Sequence, residues 1–396
     1  MIKRIKYSIW SLVFLISLSL SLMVSCISDP SPAATAENED NEVALLPLDE
    51  DYDESESKWG YIDNTGKVVL RGDFDELGNF SEGMAAYRLK AKWGYIDKQA
   101  KTKIEAQYYN AFPFENGLAK VSNFERKYGI INQEGKPVIP MMYKEMRSLK
   151  EGLCAVRQNG KWGYIDKSNA SIIAAQYDAA YDFIDGQAIV KKEKAYFLID
   201  KSGKKISSNY DRISRLNNGY YKIKQEKKYG IINKSGAQIL ASKYKNISQT
   251  NGNVIAVKET EKYTLMRLPN EKINTPNNTD IQCLNEDRWA YESNGKMGLL
   301  DNAGNIIFTP KYEIITPFKS GFASYQQDQL WGYIDRSGKV ITPPVFGLTW
   351  EFKEDLARVI GRGGVGFLNK EGKISFYAED YDVRDFSEGL ARIPIK

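Results

Sequence analysis

One short motif, KWGYID, returns again and again along this chain of 396 residues, and its degenerate copies fall into the same frame. Taking its aromatic position, the copies begin at Trp59, Trp93, Tyr128, Trp162, Tyr196, Tyr229, Tyr263, Met297, Trp331 and Val365, at spacings of 33 to 35 residues. A sustained period of this length marks a repeat architecture, in which a unit buries its apolar faces only against its neighbours. Paired-helix repeats share a period of 34. The glycines exclude them here: most units place one after the aromatic residue, one about six positions on, and a third at an EG step (Gly83, Gly117, Gly152, Gly186, Gly219, Gly321, Gly389). Each would cost about 1 kcal/mol inside a helix. The intervening segments are short and rich in Val, Ile and Tyr, as strands require. The expected fold class is all-β.

One unit, from Trp331, reads as a three-stranded meander: WGYID, a tight turn at Asp335–Gly338, a strand at Lys339–Ile341, a loop past Phe346 and Trp350, and a strand at Leu356–Val359. The D/N-x-x-G turn recurs. Asn replaces Asp freely in it and no further carboxylates follow at ligand spacing, so it reads as a turn and not as a calcium loop. The third residue of the WGYID strand is apolar or Tyr in all ten copies, and the fourth is Ile, Leu or Met. Adjacent strand residues face opposite sides, so this strand is apolar on both faces and belongs between two layers. The Gly after the aromatic is expected to admit a ring or backbone from the next unit. Propellers usually have four to eight blades of four strands. About ten three-stranded units therefore favour an open solenoid or superhelix, and a closed propeller-like ring is the alternative. The alternative draws on the two ends: the array starts on a WGYID strand at Trp59 and finishes on LARIPI, a strand with no WG strand after it.

The N-terminus reads as an address. Lys3, Arg4 and Lys6 precede an uncharged apolar stretch that ends at Met23-Val24-Ser25-Cys26. A basic region followed by an apolar one is the build of a secretory signal. The stretch ends in a sequence that resembles a bacterial lipobox, which implies a lipoprotein signal peptide over residues 1–25 and lipid attachment at Cys26. More than one acyl chain would anchor the chain stably. Residues 26–57 hold eleven acidic residues and no basic one, so they are expected to form a disordered, extended tether. The repeat domain, 58–396, carries 52 Lys and Arg against 40 Asp and Glu.

KWGYID, together with DxxGK, (K/Q)YD and FxEGLAxV, resembles the WG-repeat (KWG-repeat) family of bacterial proteins. The resemblance covers 58–396 and implies an exported or surface β-repeat protein that mediates interactions. Copies at Tyr196-Phe197, Tyr263-Thr264, Met297-Gly298 and Val365-Gly366 lack the Trp-Gly pair, and 263–296 is the most degenerate, with a polar run before Asp280.

Chemistry is constrained mainly by what is missing. The chain has no His, which removes Ser-His-Asp and Cys-His nucleophiles and the imidazole proton shuttle. Its three Cys form neither a disulfide framework nor a zinc spacing, and Cys154 is expected to be a buried filler. No phosphate-cradling glycine motif is present. The Trp ladder reads as core, because Met297 and Val365 fill the same slot. A second aromatic series, Tyr108, Tyr143, Tyr177, Tyr210, Tyr244 and Tyr312, is the candidate binding surface, with hydroxyls that can reach solvent. No catalytic residue, cofactor or metal is assigned. The expectation is a non-enzymatic, lipid-anchored scaffold of the bacterial envelope, at the outer membrane. It would bind another protein or a cell-wall polymer and no nucleic acid. An envelope hydrolase working through paired carboxylates and a purely structural spacer are the alternatives.

Overall fold

A computed structural model of the chain describes residues 58–276 and 280–395. Every described residue lies in one compact unit. The signal segment, Cys26 and the acidic stretch fall outside the described residues.

The described chain forms ten small antiparallel sheets, eight of four strands and two of three. We letter the strands of each sheet a to d. In the second sheet these are Glu76–Leu77, Met84–Leu89, Lys92–Asp97 and Thr102–Tyr108. Strand b carries the EGLAxV segment and strand c carries WGYID. The expected three-stranded unit is thus corrected to four. What reads as a loop after the second strand is the end of a seven-residue strand d followed by a short strand a, which belongs to the next sheet. One sequence repeat therefore spans two sheets, giving c and d to one and a and b to the next.

That offset closes the ring. Leu390–Ile395 supplies the strand that Lys58–Asp63 lacks: the two pair over six residues, with Trp59 opposite Pro394 and Tyr61 opposite Arg392. The array is a closed, ten-bladed, propeller-like ring, and the open solenoid expected from blade number is corrected. A solenoid would leave both apolar end faces in water. Pairing the ends removes both faces and two sheet edges.

The blades meet through dry interfaces on both sides of strand c. Tyr61 packs with Leu77, Phe80 and Ala85 of the following blade. Its neighbour Ile62 packs on the other side with Val365 and Phe367 of the last blade. Both series stay buried through all ten copies. Polar ties reinforce these faces. The hydroxyls of Tyr61, Tyr95, Tyr164 and Tyr333 each donate to a carbonyl 17 residues on, in the next blade, at 2.6–2.7 Å. Ile231 and Phe367 stand where the tyrosine would be. There, a cation on the neighbouring strand b donates across instead, Lys222 to the Ile247 carbonyl and Arg358 to that of Val383.

The Gly of the WG pair serves its own sheet rather than the next unit. Every full c–d pair is bulged beside this residue; in the fourth blade the register shifts between Trp162 and Tyr164. A Cβ on Gly163 would lie 2.5 Å from the Ile173 carbonyl of strand d, and Gly94, Gly129 and Gly332 sit equally close to theirs. Where Phe197 takes this place the blade has no strand d, and where Thr264 does, strand d shrinks to Glu271–Lys272. Gly163→Ala should therefore cost about 1–3 kcal/mol, read as a lower urea midpoint of the full chain. An unchanged midpoint would show that strand d is not held this close.

Candidate functional site

The periodic polar residues are occupied by the fold. Asp63 Oδ1 accepts the backbone N–H groups of Thr65 and Lys67 at 2.9 and 3.1 Å. The Thr65 hydroxyl also donates to it, and these bonds hold the carboxyl below its usual range. Asp166, Asp200 and Asp335 cap their c–d turns in the same way. The aspartates of the YD motif cap the b–c turns: Asp75 accepts from the Lys90 N–H and pairs with Lys58, and Asp178 accepts from the Glu193 N–H and pairs with Lys161.

The EG step makes a two-residue hairpin turn in which both central residues take positive φ, as at Glu82 (54°) and Gly83 (75°). Its Glu reaches the same turn of the next blade. Glu82 accepts from the Gly117 N–H, Glu151 from Gly186, Glu286 from Gly321 and Glu354 from Gly389, and Glu388 accepts from Gly83 across the ring closure. Equivalent residues of neighbouring blades lie one side chain apart here. The a–b turns therefore occupy the narrow inner end of the ring, and strand a, two residues long in six blades, faces the axis. Strand d, mostly exposed, lies at the rim.

The expected binding aromatics are elsewhere than their reading implied. Tyr108, Tyr143, Tyr177, Tyr210, Tyr244 and Tyr312 are at most 8% exposed. Tyr143 donates to the Asn169 side chain, and burial pushes its phenol above the ordinary value. These rings close the c–d end of each blade and offer no platform to solvent. Their period placed them well; their burial follows from the bulge, which turns the last residue of strand d inward. Cys154 is buried, with its thiol pushed up to about 12 by that burial.

A cluster of charges lies on the inner edge across the third to fifth blades. Arg147, on strand Met146–Lys150, stacks its guanidinium 4.9 Å from the Tyr181 ring and 5.6 Å from that of Trp162. Its Nε is buried with no hydrogen-bond partner, and so is one oxygen of Asp182. Burial pushes Asp182 above the usual carboxylate range, against the opposing pull of Arg147, Lys150 and Lys120. Lys120 lies 4.3 Å from the Phe112 ring. Exposed Tyr181 borders the cluster. Cation, carboxylate and aromatic faces are thus brought together with hydrogen-bonding capacity left unused. The slot before the motif Phe holds Asn79, Pro113 and Pro317 in some copies but Glu351 and Asp385 in others, so comparison among the copies does not by itself set Asp182 apart. The charge there was not singled out from the sequence.

A buried oxygen left unpaired costs about 1–3 kcal/mol. With its folded-state pKa raised, Asp182 is neutral in both states at low pH and carries its full cost once pH exceeds the folded value. Asp182→Asn should therefore stabilise the ring by on the order of 1 kcal/mol at pH 7. The gain should fade as pH drops through the carboxylate range, in denaturation midpoints taken from pH 7 to 3. A pH-independent difference would refute this account of the site.

A family model described as a WG containing repeat matches residues 59–93, 93–123, 128–162, 162–194, 196–229, 229–263, 297–331 and 331–360. The blades at Tyr263-Thr264 and Val365-Gly366 fall outside these matches. No curated protein matches the chain. Among solved structures, the chain is similar to a eukaryotic initiation factor at 13% identity and a TM-score of 0.44, covering 85% of this chain and 98% of that one. It is also similar to BamB from Moraxella catarrhalis at 12% identity and a TM-score of 0.33, covering 71% and 90% respectively.

Proposed function

Because the chain belongs to the WG-repeat family, whose periodic residues build the ring, we propose that its function is binding and that the inner edge around Arg147 and Asp182 is where a partner docks. One observation carries this reading: opposite charges are held there at a cost to stability, with bonding atoms unspent, beside exposed Tyr181. Such cost is characteristic of sites kept for function. The partner is a protein or an envelope polymer whose groups complement a cation, a carboxylate and aromatic faces. The β-ring is compatible with a protein-binding scaffold.

The same proposal places the ring at the bacterial envelope. The basic-then-apolar N-terminus and Cys26 support attachment through lipid, with the acidic residues between Cys26 and Lys58 as the spacer. No step of catalysis is part of the proposal.

Two measurements test it. Cys26→Ser should abolish metabolic acyl labelling and move the protein out of the membrane fraction; unchanged labelling would remove the lipid anchor. Cross-linking in intact cells should recover a protein or cell-wall fragment with the wild-type chain, and the Arg147→Ala, Asp182→Asn pair should reduce that recovery about tenfold or more. Equal recovery with the double variant would exclude this site, and recovery of nothing by the wild type would count against a scaffold.

A further inference from the structure

Every strand d ends its sheet, so its outer backbone edge has no strand beside it. An unpaired edge templates any extended chain unless charge, proline or shortness blunts it. Seven strands d have seven residues, and six of them carry such a guard, as with Lys103 and Glu105 in Thr102–Tyr108 or Pro343 and Pro344 in Val340–Phe346. The remaining one is Ser171–Tyr177 of the fourth blade, SIIAAQY, with neither charge nor proline. Its Ile172 is 46% exposed, and Ala174 and Gln176 are exposed beside it.

The charges at its two ends are of one sign. Lys167 lies in the turn that leads into the strand, and Lys192 of the next blade donates to the Gln176 side chain at 3.0 Å. The nearby carboxylates are engaged: Asp166 caps its turn and Asp178 is paired with Lys161. A second copy of this edge is a poor occupant. Antiparallel self-pairing would bring Lys167 of one copy to Lys192 of the other, and parallel pairing would oppose each lysine to itself. Like charges facing across strands are destabilising.

We propose that the outer edge of Ser171–Tyr177 docks an extended peptide strand with small or apolar residues in its middle and carboxylates at its ends. Main-chain hydrogen bonds to the edge would supply affinity, Ile172 an apolar contact, and Lys167 and Lys192 the selection for acidic ends. This surface lies on the rim, separate from the inner edge proposed above, so either assignment can fail alone.

The test uses the full-length chain and a fluorescein-labelled nine-residue peptide of alternating Thr and Val bracketed by Glu, followed by anisotropy. Saturable binding is expected. It should weaken about tenfold when the brackets are Lys, or in the Lys167→Glu, Lys192→Glu variant. N-methylation of alternate peptide amides, which leaves the protein untouched, should abolish it, and so should Ala174→Pro. No saturable binding up to about 1 mM, or equal binding of the N-methylated peptide, would overturn the proposal. So would sedimentation showing that the ring dimerises and that Ala174→Pro abolishes the dimer, since the edge would then belong to a second copy.

Discussion

The structure depends on contact between both faces of each WGYID strand and the blades on either side. A sheet of three or four short strands is marginal by itself. Here Tyr61 and Ile62 face opposite neighbours, and the same two slots are dry in every copy. No blade owns a core; each core is shared across a boundary, as the cluster joining Leu153 and Tyr164 to Ala180, Phe183 and Val190 shows. Closure follows. An open array of this kind exposes one apolar face at each end, whereas the ring joins Ile62 to Val365 and Phe367 and leaves none.

The polar ties across the boundaries use two neighbouring acceptors. A c-strand tyrosine donates to one carbonyl of the next blade, a b-strand Lys or Arg donates to the carbonyl one residue earlier, and at the closure both are present, Tyr61 to Gly78 and Arg392 to Leu77. Each bond satisfies a backbone acceptor beside a dry interface, where an unmet group is costly, and the copies differ in which of the two they make. The Glu-to-Gly bonds of the inner turns also hold positive φ at a non-glycine residue, a conformation that needs support from its surroundings.

This variation among copies bears on how much could be read from residues alone. Period, fold class and the two-faced strand were legible because each is set by local chemistry: glycine at turns, β-branched and aromatic residues between them. The outer strand was not, since Pro343 and Pro344 in Val340–Phe346 read as a loop and are in fact tolerated at an unpaired edge. Closure was legible only as an alternative. It is decided by the small rotation from one blade to the next, a sum of many packing contacts that no single residue announces. The partner of the WG glycine was misplaced for a similar reason: the close approach comes from a bulge in its own sheet, and a bulge is a property of two strands taken together. The candidate tyrosines were correctly periodic, and that periodicity is why they are structural.

In a ring of repeats, any residue needed to build the ring is needed about ten times, so periodicity is itself a measure of structural use. A group that serves a partner is needed once. Arg147 and Asp182 approach that description: a like charge stands in their slots in few other copies, at Arg384, Glu351 and Asp385, and both retain buried atoms that the fold does not engage. The uncharged strand Ser171–Tyr177 meets it in the opposite sense, by lacking a guard that every other full-length rim strand carries. Both departures lie in the fourth and fifth blades, the fifth being the one whose Phe197 has displaced its outer strand. One break in the ring's regularity therefore falls where these two departures lie, and the other lies at the Thr264 blade, whose strand d shrinks to Glu271–Lys272.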